Sequence, residues 1–245
     1  MLKTIGIIGA MNIEIELARN KIKIEDKRKY AGFIFYMGKY KNLNIILVSC
    51  SVGKVNAASC TQILIDKFNV TEIINTGIGG SMNKRIGLCD IVISENVTYH
   101  DVRQAQMKNY FPFKEFFTAD RQLIEIAVKT YESMPSKKYN YHIGRIVTGD
   151  AFICENDLKE EIISKYNPYC VDMEGAAIGH VAEINKVPFV IIRSISDNAD
   201  NNATLNYDEF ELIAANNSAM LVLGMLDLIS ISEYRWISFY IIWNK

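Results

Sequence analysis

Short apolar runs alternate with longer amphipathic stretches along the chain. Runs that end in glycine or a polar residue predict buried strands at residues 5–8, 72–75, 90–94, 142–148 and 187–194. Apolar residues at helical spacing predict helices at residues 12–21, 53–68, 121–131, 174–185 and 207–229. The β-rich runs 33–36 and 44–49 predict a hairpin. This alternation predicts a single α/β domain with a mixed, mostly parallel central sheet flanked by helices.

Composition narrows the class of protein. The chain has 27 basic and 28 acidic residues, a net charge of −1, and 49% hydrophobic residues. That apolar content argues against disorder, and the balanced charge argues against nucleic acid as a partner. Five cysteines without a CxxC pair argue against a disulfide framework or a zinc site. No uncharged apolar run has the length of a membrane span, so we expect a soluble, cytoplasmic protein with no membrane partner.

The polar residues that follow the predicted strands are the candidates for chemistry, because ligands collect at the carboxyl ends of strands in such sheets. Acids, an arginine and a glycine-rich segment occur there, in GAMNIE, NTGIGGS, TGDAF, VDME and RSISD. No histidine or thiol lies beside a base in the sequence, so carboxylates are expected to carry the chemistry, without a metal or cofactor. The glycine-rich segment also fits a simple tight turn, and this pattern alone predicts only an α/β enzyme with a carboxylate site.

Several of these segments resemble a specific family. IGIIGAMNIEIE, SVGKVNAA, IINTGIGGS, TGDAFI, VDMEGAAIGHVA and VPFVIIRSISDNAD stay in family order over roughly residues 4–229. They resemble the 5′-methylthioadenosine/S-adenosylhomocysteine nucleosidases of the nucleoside phosphorylase superfamily. The resemblance implies a nucleoside phosphorylase-like fold, a nucleosidase domain at residues 1–230, and a C-terminal tail of unknown role at residues 231–245.

The resemblance implies hydrolysis of the N-glycosidic bond of methylthioadenosine and S-adenosylhomocysteine, and also of 5′-deoxyadenosine. Asp197 matches the acid that protonates adenine at N7, with Ser196 beside it. An ordinary aspartate is ionised at neutral pH, so this role requires a desolvated carboxyl group. Glu14 matches the glutamate that activates the attacking water.

Other positions match substrate contacts of the family. Glu174 matches the carboxylate that accepts hydrogen bonds from the ribose hydroxyls, and Met173 matches a residue that lines the ribose. Phe152 matches the aromatic residue that stacks on adenine, and the backbone of Ile153 matches the group that contacts the edge of the base.

Three further residues are implied in supporting positions. Arg193 and Asp172 match polar groups near the water and the ribose, and Tyr207 stands where the family has an aromatic residue near the 5′ side. The chain departs from the family at Ile78, where many members have serine, so a hydroxyl near the acid or the ribose is expected to be missing.

The loop after TYHDV also differs in length from the family pattern. In the family, this loop contributes to the 5′-alkylthio pocket of the neighbouring subunit, which implies a homodimer. Phe111, Pro112 and Phe113 are the candidates for that contact. The alternative is an apolar loop packed on its own subunit.

Three alternative functions remain open at this point. A phosphorylase of the same superfamily would need a cationic phosphate pocket, whereas the first glycine loop here carries acids. Futalosine and adenosine hydrolases share the scaffold, and Asp197 alone does not separate adenine from hypoxanthine. A non-catalytic nucleoside-binding protein would not need the three acids Glu14, Glu174 and Asp197.

Overall fold

The computed structural model describes the backbone of residues 3–243 and the side chains of residues 3–231. The strands are β1 Thr4–Gly9, β2 Lys23–Tyr30, β3 Phe33–Tyr40, β4 Leu43–Ser49, β5 Glu72–Ser81, β6 Ile91–Tyr99, β7 Phe117–Thr118, β8 Tyr141–Thr148, β9 Cys170–Asp172 and β10 Phe189–Asp197. The helices are α1 Asn12–Lys21, α2 Lys54–Phe68, α3 Gln104–Asn109, α4 Arg121–Ser133, α5 Asn156–Tyr166, α6 Gly175–Ile184 and α7 Ala203–Trp243. Side chains of the predicted tail from residue 232 onward lie outside the described residues.

All described strands belong to one mixed sheet. Its order is β10-β6-β8-β9-β5-β1-β4-β3-β2, with β7 beside β6. β10 also pairs with β5, so β5, β10, β6, β8 and β9 close into a ring. Parallel pairing joins β1 to β4 and β5, and β5 to β10, while the predicted β3–β4 hairpin is antiparallel. The predicted single α/β domain with a mixed sheet flanked by helices is confirmed.

The two strands that carry the most polar motifs are longer than their apolar runs predicted. β5 continues through the glycine-rich segment to Ser81, so this segment is not a tight turn. β10 continues through RSISD to Asp197, and the two strands pair in parallel register, with Gly77 opposite Arg193. Parallel pairing, with a register shift between Ile195 and Asp197, therefore brings the glycines and the RSISD residues side by side.

Helix α7 covers the sheet next to these strands. It packs against β10, β5, α1 and α4. Residues 203–231 of this helix are long and apolar enough to cross a membrane, but half of the apolar window is buried inside the fold. Such burial is typical of the core helix of a soluble protein. All five cysteines are free thiols in the structure, and only Cys154 among them is exposed.

Candidate active site

A cavity of about 330 Å³ opens at the ends of β1, β5 and β10. Its lining contains ten of the residues predicted for the site: Glu14, Ile78, Phe152, Ile153, Asp172, Met173, Glu174, Ser196, Asp197 and Tyr207. The fold therefore brings together in one cavity residues that lie far apart in the sequence.

Glu14 lies in the first turn of α1, and its carboxylate folds back over the end of β1. Its Oε2 accepts hydrogen bonds from the backbone N–H groups of Ala10 (2.6 Å) and Met11 (2.8 Å). Its Oε1 accepts one from the N–H of Ile78 at 3.0 Å. Burial raises the pKa of Glu14, while nearby Arg193 and these three N–H groups lower it. The carboxylate is thus held rigidly by donors that favour its ionised form.

Two glycines of β5 leave the space that the carboxylates occupy. A methyl group at Gly77 would lie 2.5 Å from Oε1 of Glu14 and 3.2 Å from Nη1 of Arg193. A methyl group at Gly80 would lie 2.9 Å from Oδ1 of Asp197. Both distances are too short for a side chain at these positions. Glycine at positions 77 and 80 therefore leaves room for the carboxyl groups of Glu14 and Asp197, rather than for a phosphate.

Arg193 lies behind the cavity and does not line it. Its side chain is buried, with Nη2 2.8 Å from Oδ2 of Asp172 and 3.8 Å from Oε2 of Glu174. Asp172 also accepts hydrogen bonds from the hydroxyl of Thr148 (2.5 Å) and the N–H of Gly175 (3.1 Å). Buried charges are tolerated when they are paired in this way. Arg193 and Asp172 therefore form an ion pair that supports the cavity wall.

Glu174 immediately precedes α6 and faces the cavity. Its Oε1 accepts a hydrogen bond from the N–H of Gly53 at 2.9 Å. Burial and the nearby Asp172 raise the pKa of Glu174 to about 8, against the opposing effect of Arg193. Gly53 precedes α2 with a φ of +100°, a conformation that glycine adopts readily, so the turn at that helix start aims the N–H at the carboxylate.

Asp197 ends β10 and lines the same cavity. Its Oδ2 accepts a hydrogen bond from the hydroxyl of Ser196 (2.8 Å), and its Oδ1 accepts one from the N–H of Ala199 (2.7 Å). Burial raises the pKa of Asp197, while these two hydrogen bonds lower it. Asp197 is thus a buried carboxyl group with two neutral donors in contact, beside an open cavity.

An aromatic corner borders the same cavity. Phe152 is 43% exposed and meets the ring of Tyr207 edge to face, with 5.9 Å between centroids. The side chain of Ile153 is buried in the core, which fixes the backbone that follows Phe152. The hydroxyl of Tyr207 donates to Oε1 of Glu211 (2.8 Å) and lies 3.5 Å from Sδ of Met11. The free face of Phe152 is therefore available for stacking on a planar ligand.

Ile78 sits in an apolar contact with α7 rather than in a polar network. It packs in a small cluster with Ala214 and Ala215, against which Tyr207 and Met11 also pack. Its N–H, not its side chain, takes part in the polar site by donating to Glu14.

The loop residues Phe111, Pro112 and Phe113 are not part of the cavity lining of this chain. Phe111 is 71% exposed and Phe113 is 64% exposed, so these two side chains are not buried in the core of this chain. Their predicted contribution to a neighbouring subunit's pocket stays a prediction.

Sequence reasoning missed two contributors, Thr148 and Gly53. Thr148 ends β8, donates to Asp172 and accepts from the N–H of Ala176, which joins the start of α6 to the sheet. Its position at the end of a predicted strand was the available signal. Gly53 acts through its backbone N–H, which a sequence motif does not reveal.

Among residues 3–231, no cluster of three or more His, Cys, Asp or Glu has the arrangement of a metal site.

Comparison with known protein sequences shows the superfamily of this chain and its relatives within it. Residues 4–227 match the sequence profile described as the Phosphorylase superfamily. A 5′-methylthioadenosine/S-adenosylhomocysteine nucleosidase from Halalkalibacterium halodurans is 40% identical over 229 residues, which cover 91% of this chain and 97% of that protein. The enzyme of the same name from Listeria monocytogenes serovar 1/2a is 36% identical over 233 residues, covering 92% of this chain and 100% of that protein.

Solved structures agree with the sequence matches. The Colwellia psychrerythraea nucleosidase of this type, in complex with adenine, superposes with a TM-score of 0.88 at 33% identity, covering 93% of this chain and 96% of that chain. The futalosine hydrolase of Helicobacter pylori superposes with a TM-score of 0.85 at 30% identity, covering 93% and 98%. The chain belongs, within the Phosphorylase superfamily, to the 5′-methylthioadenosine/S-adenosylhomocysteine nucleosidases.

Proposed function

We propose that this protein hydrolyses the N-glycosidic bond of 5′-methylthioadenosine and S-adenosylhomocysteine, and also that of 5′-deoxyadenosine. The products are adenine and the 5′-substituted ribose, and water is the nucleophile. The observation that carries the proposal is that two buried carboxyl groups, Glu14 and Asp197, line one cavity in different environments. Acid–base chemistry at a single bond requires such a pair.

Asp197 is proposed as the general acid. Adenine leaves poorly as an anion, so Asp197 donates its proton to N7 while the electron pair of the C1′–N9 bond moves onto the base. Burial favours the protonated carboxyl group that this step needs. The hydroxyl of Ser196 donates to Oδ2 of Asp197 and stabilises the carboxylate that remains after proton transfer.

Glu14 is proposed as the general base. It takes one proton from water as the oxygen bonds to C1′, and so compensates for the proton that Asp197 transfers to adenine. The three backbone N–H groups orient this carboxylate, and together with Arg193 they favour its ionised form against the effect of burial. Proton transfer to or from such a positioned side chain contributes about 10²–10⁴-fold to the rate.

The remaining groups are proposed to bind the nucleoside. Phe152 stacks on adenine, and the backbone of Ile153 contacts its edge. Glu174 accepts hydrogen bonds from the ribose hydroxyls and Met173 lines the sugar. Tyr207 borders the 5′ substituent, while Arg193 and Asp172 support Glu174 from behind.

The charge of the cavity favours water over phosphate as the nucleophile. The described residues that line it include four carboxyl groups and no lysine, arginine or histidine. A dianionic phosphate would be repelled by these acids, whereas a neutral water is not. We therefore propose that the protein is a hydrolase rather than a phosphorylase. We further propose that it acts in the cytoplasm as a homodimer, in which Phe111, Pro112 and Phe113 of each subunit contribute to the 5′-alkylthio pocket of the other subunit.

Futalosine hydrolysis is a second candidate, favoured by the likeness to the Helicobacter pylori enzyme. The apolar contacts of Ile78 and the Met11–Tyr207 pair favour thioether substituents over the 5′-hydroxyl group of adenosine, because burying an unpaired hydroxyl group is unfavourable.

A product assay tests the proposal. Base release is measured from methylthioadenosine, S-adenosylhomocysteine, 5′-deoxyadenosine, adenosine and futalosine, each with and without phosphate. We expect phosphate-independent release of adenine from the thio-nucleosides, and impaired release in Glu174→Ala. Strict dependence on phosphate contradicts the hydrolase, and a preference for futalosine supports the second candidate. Tight binding of methylthioadenosine without turnover would indicate a binding protein.

A further inference from the structure

A second cavity continues from the active site toward the surface. It has a volume of about 630 Å³ and shares Ala10, Met11 and Val52 with the active-site cavity. We call it the Arg19 groove, after the arginine that lines it together with Asn12, Tyr36, Ser51 and Asn56. The shared residues make the groove an extension of the active site.

The groove begins at the end of the site where the 5′ substituent is proposed to lie. Asp197 and Phe152 define the adenine end of the cavity, and Tyr207 borders the 5′ side. The hydroxyl of Tyr207 contacts Sδ of Met11, which lines both cavities. A substituent longer than a methylthio group would therefore pass Met11 and Val52 into the groove.

Arg19 gives this extension a positive charge. Asn12 and Arg19 are seven residues apart on α1 and share a face of the helix, since 3.6 residues make one turn. Long side chains in a helix lean toward its N-terminus, and the contact of Arg19 with Glu16, one turn earlier, agrees with that direction, which is also the side of Met11. The described residues that line the groove include no carboxyl group.

The guanidinium group of Arg19 is only loosely engaged within the chain. Its Cζ lies 5.6 Å from the centroid of the Tyr36 ring, and its Nη2 lies 3.8 Å from Oε1 of Glu16. The side chain of Glu16 is 58% exposed, so water screens that pair. These two contacts do not use all five N–H groups of the guanidinium, so it can bind a carboxylate through two of them.

We propose that the Arg19 groove is a subsite for the α-carboxylate of 5′-thioadenosines whose substituent ends in an amino acid, with Arg19 as the anion-binding group. This inference rests on the proposed function, because it assigns a recognition site to one of the proposed substrates, S-adenosylhomocysteine. S-adenosylhomocysteine carries such a carboxylate, whereas methylthioadenosine ends at its methyl group. Arg19 thus sets the relative use of the two substrates without acting in the chemical step.

The wild-type protein provides the first test. kcat/KM is measured for methylthioadenosine, S-adenosylhomocysteine and the carboxamide of S-adenosylhomocysteine, which has nearly the same size but no negative charge. We expect the carboxylate to be preferred over the carboxamide by about threefold to tenfold, as for a partly exposed ion pair, and the preference to weaken with added salt. Equal values for the two compounds would overturn the proposal, as would hydrolysis of methylthioadenosine without any hydrolysis of S-adenosylhomocysteine.

Single-residue variants test whether Arg19 causes the preference for the carboxylate. Arg19→Gln is expected to lower kcat/KM for S-adenosylhomocysteine by about the same factor, through KM, and to leave methylthioadenosine unchanged. Arg19→Lys should recover part of the loss. Lys21→Gln is the matched control, because Lys21 is exposed in the same last turn of α1 and does not line the groove. An equal loss in Lys21→Gln, or no loss in Arg19→Gln, overturns the proposal, whereas failure of every protein on methylthioadenosine contradicts the proposed function itself.

Discussion

Glu14 and Asp197 are both buried carboxyl groups in the lining of the active-site cavity, but the groups around them differ. Glu14 accepts three backbone hydrogen bonds and lies in the field of buried Arg193. Asp197 accepts one backbone hydrogen bond and one from a hydroxyl group. The ammonium of Lys159 is hydrogen-bonded to the carbonyl of Asn198, and its charge lowers the pKa of Asp197 less than these two hydrogen bonds do. Burial raises the pKa of both groups, and at Glu14 more donors oppose it.

The comparison shows how similar residue types acquire opposite roles. Desolvation raises the pKa of both carboxyl groups and so favours the protonated form of each. Donors that favour the anion surround Glu14 more completely, so it is suited to accept a proton, whereas Asp197 is suited to donate one. The roles are therefore properties of the surrounding backbone and of Arg193 rather than of the two side chains.

Removing either carboxylate should have the largest effect. Asp197→Asn and Glu14→Gln keep the size of the side chain and abolish its proton transfer. Each is expected to lower kcat for methylthioadenosine by about 10²–10⁴-fold, measured as steady-state adenine release. Circular dichroism serves as the control for folding. A near-normal kcat in either variant would remove that residue from its role.

Crowding Glu14 should have the next largest effect. Gly77→Ala places a methyl group 2.5 Å from Oε1 of Glu14, so the carboxylate must shift. A displacement of this size is expected to lower kcat by about 10²-fold. Gly87→Ala is the matched control, because its methyl group would meet only Oδ2 of Asp90 at 3.8 Å. Equal activity of the two variants would show that the position of Glu14 is not critical.

Loss of the stacking surface should weaken binding more than chemistry. Phe152→Ala is expected to raise KM for methylthioadenosine by roughly tenfold, as for the loss of one base–aromatic stack. Ile143→Ala is a suitable control, since Ile143 is 42% exposed, as Phe152 is at 43%, and lies outside the cavity lining. A change confined to kcat would argue against stacking.

The smallest expected effect concerns stability and its dependence on pH. The pKa of Glu174 is raised from 4.5 to about 8, so the folded protein retains a proton that the unfolded chain releases between these values. Wild-type stability therefore decreases as pH rises through this window and no further above it. Glu174→Gln cannot ionise, so its Tm relative to wild type should rise by a few degrees between pH 5 and pH 8.5. A Tm difference that is the same at both pH values would contradict this account.

The sequence predicted most of the fold where burial imposes a pattern. The cores of β1, β5 and β10 are apolar runs, and α4 has helical spacing. β2, with the sequence KIEDKRKY, was not predicted, because it is an edge strand whose exposed residues need no apolar alternation. β9 was also missed, since three residues are too few to form a pattern.

The residues of the active site could likewise be predicted only where they leave a pattern in the sequence. Side chains that carry chemistry stand in motifs, so Glu14, Glu174 and Asp197 could be found in the sequence. Backbone donors could not be found in this way, because any residue supplies an N–H group. Gly53 and Ala199 contribute only their N–H groups, and Gly77 contributes only the space that its missing side chain leaves for Glu14. These contributions depend on how the chain folds around the carboxyl groups.

The dependence of kcat/KM on pH tests the assigned roles most directly. Glu174, with a pKa of about 8, also titrates in this cavity, so the profiles are measured in a Glu174→Gln background. The profile of that parent should be bell-shaped, with an acidic limb from protonation of Glu14 and a basic limb from ionisation of Asp197. The residual activity of Asp197→Asn should lack the basic limb, and that of Glu14→Gln should lack the acidic limb. Loss of the opposite limb in each variant, or an unchanged profile in both, would contradict the assignment of Asp197 as acid and Glu14 as base.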